Sequence, residues 1–154
     1  MGVTSKDVIL QTIGQIGTAG GTGTVSEYAG TVIENLNIEQ RMTICNMSIE
    51  AGARAGMIAP DDKTYEYVAG REFAPKSEEF DKAVATWKKL PTDSGATYDH
   101  SITLSAEDLV PQVTWGTNPE MVVNVTETVP DPDKMPTQHQ KKAAENALVS
   151  VSYT

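Results

Sequence analysis

Residues 37–60 read NIEQRMTICNMSIEAGARAGMIAP, and the architecture turns on this stretch. Asn37 with Gln40 three positions later is the signature of a helix-opening capping box. Beyond it Ile38, Met42, Cys45, Ile49 and Ala53 recur at steps of four or three, which predicts a helix with one apolar face. Gly52 and Gly56 mark its end, and Met57-Ile58-Ala59-Pro60 predicts a short buried strand. A helix feeding into a buried strand is a building step of α/β folds.

On the N-terminal side, Ser5 opens a helix whose Val8, Ile9, Ile13 and Ile16 fall on one face, and Gly17 stops it. Thr24 to Tyr28 reads as a strand and Thr31 to Leu36 as a helical turn. On the C-terminal side, Asp61 caps a helix ending near Gly70. Ser77 caps another, in which Phe80, Ala83, Val84, Trp87 and Leu90 form the stripe. Acids Glu78 and Glu79 come first and Lys88 and Lys89 last, as the helix dipole favours. Tyr98, His100, Ile102 and Leu104 alternate with polar residues and predict a strand, followed by a second at Gln112 to Trp115. Prolines and charges after Val129 predict a connector, then a helix over Gln138 to Leu148. The expected architecture is an α/β domain with layered α/β/α order over residues 1–128. Residues 129–154 form a Pro-rich connector with a short C-terminal helix or tail.

With 39% hydrophobic and 21% charged residues in 154, the chain has the composition of a folded domain and not of a disordered one. A net charge of −9 repels phosphate backbones and anionic membranes, so neither nucleic acid nor a membrane is an expected partner. One cysteine, Cys45, cannot close an internal disulfide or hold a metal by itself, which points to a reducing, cytoplasmic setting. No apolar run reaches the roughly 20 residues of a membrane span, and MGVTSKDVIL lacks a signal-peptide core.

The run Gly17-Thr18-Ala19-Gly20-Gly21-Thr22-Gly23 follows a helix and fits neither nucleotide-loop spacing, so it reads as a structural turn. His100 and His139 lack a second ligand at metal spacing, and no serine stands in a nucleophile-elbow context. Asn46 and Glu50 lie four apart, on one side of the expected helix. By residue chemistry alone such a glutamate belongs to the solvated surface, although partial burial would tune it for proton transfer.

The string RMTICNMSIEAGARAG resembles the aconitase-superfamily segment Cys-Asn-Met-x-x-Glu followed by small residues. TSKDVILQTIGQIGTAGGTGTVSEYAG before it, with MIAPDDKTYEYVAGREFAP and PQVTWGTNP after it, agree in order. They are most similar to the family of 3-isopropylmalate dehydratase large subunits, over about Val3 to Ala147. That resemblance implies one internal domain of a hydro-lyase of leucine biosynthesis, which isomerises 2-isopropylmalate to 3-isopropylmalate at a [4Fe-4S] cluster.

By the same resemblance, Asn46 packs near the cluster without ligating it, and Glu50 approaches the substrate hydroxyl. Glu50 thereby moves from solvated surface to active-site wall. Cys45 matches a cysteine that is not a cluster ligand, so no metal ligand is expected in this chain and the chain alone is expected to be inactive. Implied partners are the remaining large-subunit domains, a small swivelling subunit and a hydroxy-dicarboxylate. Self-association through Met42, Met47 and Ile49 is a further expectation. A non-enzymatic assembly or binding module, or a remnant of a related enzyme, is the alternative. The sequence departs from the family at Ala29 and Thr31, at Glu120 where glycine is usual, and in the ending ALVSVSYT.

Overall fold

The computed structural model describes residues 2–151, and the last three residues of the divergent ending lie outside it. Helix α1 (Ser5–Ile16) starts at a reciprocal box in which Thr4 and Asp7 cap each other's backbone N–H groups. Its buried stripe, Ser5, Ile9, Leu10 and Ile13, makes it the central helix. Strand β1 (Val25–Glu27), helix α2 (Thr31–Asn35), helix α3 (Ile38–Asn46) and strand β2 (Ala55–Met57) follow. The two strands pair in parallel, Val25 opposite Ala55 and Glu27 opposite Met57. Ile9, Ile13, Ile33, Ile44 and Ala51 close the first core.

Three expectations fail in this half. Helix α3 opens at the Asn37/Gln40 box as expected but ends at Asn46, well short of Ala53. Its buried positions are Arg41 and Ile44, whereas Met42 is 48% and Ile49 64% exposed. The cause is Ser48, fully buried, whose hydroxyl donates back to the Ile44 carbonyl at 3.2 Å and bonds the Tyr28 hydroxyl at 2.8 Å. A serine satisfied in this way competes with the helical ladder, and a 3-10 turn (Ile49–Ala51) replaces the next helical turn. The apolar stripe read by spacing was the wrong face, because Arg41 is carried inside by a two-pronged bond to Asp61, at 2.9 and 2.6 Å. The strand expected at Met57 to Pro60 lies earlier, at Ala55–Met57, and is not buried along its length. Gly56 alone lies against α3, since a Cβ there would sit 2.8 Å from the Cys45 Cα, and alternation turns Ala55 and Met57 outward.

Helix α4 (Asp62–Val68) begins at the Asp61 cap. Helix α5 (Ser77–Trp87) packs by aromatic contact, with Trp87 stacked on Tyr65 and met edge-on by Phe80. Lys76, not Ser77, holds its N-cap position and makes no side-chain cap, while Ser77 is the first helical residue at φ 47°. The expected strand at Tyr98 to Leu104 is absent. The segment bends at Asp99 and lies on the surface without regular structure, His100 exposed, and no described strand pairs with it.

Strands β3 (Gln112–Thr114) and β4 (Val122–Asn124) form an antiparallel pair. Helix α6 (Gln138–Ser150), capped by Thr137, buries Ala144 and Ala147 against Trp115 in a second core with Met121, Val123 and Met135. Mixed helices with two small sheets make this an α/β domain. Helix α1 touches both halves. Asp7 Oδ1 accepts the Gln112 N–H at 2.8 Å, and Gly14 lets β4 approach so closely that a Cβ would lie 2.5 Å from Val122.

Candidate functional site

Three pieces of chain far apart in sequence converge on a cleft of about 270 Å³. Helix α1 contributes Lys6 and Leu10, the turn after α3 contributes Met47 and Glu50, and the β3–β4 connection contributes Thr114 and residues 116–119. Each piece is held from behind. Ser48 ends α3 and turns Ile49 and Glu50 outward. In the connection, Asn118 Oδ1 accepts the N–H groups of Glu120 and Met121 at 2.9 and 3.2 Å, a side-chain-closed turn. Glu120 Oε2 then accepts the Thr18 N–H at 2.8 Å and its hydroxyl at 3.0 Å.

The glycine run therefore does hold an anion, one supplied by the chain itself. The Thr18 N–H is the chief cause holding the Glu120 carboxyl below its ordinary value. Burial pushes the Asp7 carboxyl up, but the bonds from Thr4 and Gln112 outweigh it and hold that group low as well.

The cleft keeps chemistry in reserve. Among the described residues, the side chains of Lys6, Glu50, Thr114 and Thr117 make no hydrogen bond or ion pair, although all four line the same small volume. Leu10, Met47 and Pro119 supply apolar wall. An ammonium, a carboxylate and two hydroxyls can bind a polar acid and exchange a proton with it.

The candidates named from sequence are distributed unevenly. Glu50 lines the cleft. Asn46, the last residue of α3, is exposed and does not line it, and the two are not one helical turn apart on a continuous helix. Cys45 faces Gly56, and burial pushes its thiol above the ordinary value. His100 borders a larger cavity of about 380 Å³ beside β1, where the one β1 carboxylate, Glu27, is already occupied by the hydroxyls of Thr92 and Tyr98. His139 is exposed on α6. Sequence reading assigned no role to Lys6, Thr114 and Thr117, although the two threonines lie in the stretch PQVTWGTNP that carries the resemblance; Lys6 meets them only across more than a hundred positions.

The chain matches the aconitase family (aconitate hydratase) over residues 1–153. It belongs to that family, and its fold is that of an α/β domain in a hydro-lyase-type enzyme. The full enzymes of the family contain a [4Fe-4S] cluster. Among the described residues no three His, Cys, Asp or Glu side chains converge, and the one cysteine, Cys45, falls short of the set of thiolates that holds such a cluster. These residues do not fit the part of cluster ligands. No helix among the described residues is long and apolar enough to cross a membrane.

Proposed function

We propose that the chain is part of the large subunit of a 3-isopropylmalate dehydratase and supplies one wall of its active site. The observation that carries this reading is the meeting of Glu50 with the Thr114 to Pro119 connection in one cleft whose ammonium, carboxylate and hydroxyl groups are all unspent. Glu50 holds a proton at the substrate hydroxyl oxygen. It gives that proton to the departing hydroxide to make water, and takes one back from water on rehydration. The proton on the neighbouring carbon goes to a base supplied by the remaining domains, which also bring the cysteines that hold the cluster.

The apolar wall of Leu10, Met47 and Pro119 supports an alkyl-substituted malate over citrate, whose third carboxylate would lie against it unpaired. Exposed Met42 and Ile49 are the surface that the remaining domains and the swivelling subunit cover. A free cysteine with no disulfide partner suits a cytoplasmic enzyme.

The test is assembly of this chain with the cluster-bearing domains and the small subunit. Turnover of 2-isopropylmalate is expected only from the assembly, and Glu50→Gln should lower it by about 10²–10⁴-fold. Full activity of Glu50→Gln, turnover by the chain alone, or a preference for citrate would overturn the reading.

A further inference from the structure

We propose that Lys6, with the hydroxyls of Thr114 and Thr117, is the carboxylate-binding end of the cleft, while Glu50 serves the hydroxyl of the same ligand. This deepens the proposed function and rests on it. In a chain with 12 basic against 21 acidic residues, Lys6 is the one cation that lines the cleft. Lys6 and Glu50, both exposed, line this cleft without an ion pair between them. Both side chains are therefore open to a ligand.

The base of Lys6 is fixed. The Thr4/Asp7 box sets the first turn of α1, and the bond from Gln112 to Asp7 ties that turn to β3, bringing Lys6 beside Thr114. Thr117 is held by the Asn118 turn, which Glu120 fastens to Thr18. Two hydroxyl donors and one ammonium match a carboxylate's acceptor oxygens.

The experiment is calorimetric titration of the whole chain with 2-isopropylmalate, with backbone amide NMR recording where it binds. Lys6→Met should weaken binding about tenfold, Lys6→Arg should stay within about threefold of the parent, and added salt should weaken the parent much more than Lys6→Met. Parent-like affinity of Lys6→Met, with amide shifts still at Glu50 and Thr117, would overturn the role of Lys6 and leave the cleft standing. Absence of saturable binding by the parent chain would remove both.

Discussion

Asp7 Oδ1 accepts the backbone N–H of Gln112 at 2.8 Å across 105 positions of sequence. The same carboxylate, through Oδ2, caps the Thr4 N–H at 2.7 Å. One side chain thus starts α1 and fastens the β3–β4 pair to it.

Asp7→Ala removes both bonds and should cost about 1.5 kcal/mol, a figure kept low because the group is only half-buried. Urea unfolding measures it. The bonds from Thr4 and Gln112 hold the folded-state Asp7 carboxyl below its ordinary value, so its contribution is complete above the unfolded pKa of about 3.9 and is lost as pH falls through the lower folded value. The difference between parent and Asp7→Ala should shrink only below about pH 4.

Arg41 is 5% exposed and bonded at both terminal nitrogens to Asp61, whose carboxyl that guanidinium holds well below its ordinary value. Asp61→Asn retains an acceptable N-cap for α4 while stranding the buried cation. The cost should be about 2 kcal/mol, less than for a fully buried pair because Asp61 is 39% exposed. A parent that melts no higher than Asp61→Asn at neutral pH would contradict this.

A Cβ at Gly56 would lie 2.2 Å from the Ser48 hydroxyl and 2.8 Å from the Cys45 Cα. Gly56→Ala must therefore push α3 off β2, and a loss of about 3 kcal/mol is expected in thermal unfolding. Gly23→Ala, at φ +82° with open space around it, should show only the smaller backbone penalty of about 1 kcal/mol.

Glu120→Gly restores the residue usual in the resembling family and releases Thr18. Hydrogen exchange at the Thr18 amide should quicken, with a stability loss of about 1 kcal/mol that high salt reduces, since Glu120 is exposed. Unchanged exchange would mean that the clasp does not persist in solution.

Local signals were legible where local physics decides. The Asn37/Gln40 box, the Asp61 cap, the α1 stripe and the α6 helix all appear where capping chemistry and spacing put them. The end of α3 was not legible, because Ser48 stops the helix only by meeting Tyr28, twenty positions earlier. The stripe was misassigned for a similar reason: Arg41 is buried by a partner on another element, which spacing cannot see. Alternation at Tyr98 to Leu104 announced a strand, but a strand needs a neighbour and none pairs with it. Glu50 stood out through the resemblance, whereas Lys6 and Thr117 needed the fold to bring them to it.

The most direct measurement is an amide NMR titration of the chain with 2-isopropylmalate. The account predicts saturable shifts confined to Lys6, Met47 to Glu50 and Thr114 to Pro119. Shifts confined instead to the cavity beside β1, at Glu27 and Thr97 to His100, or no saturable shift anywhere, would contradict it.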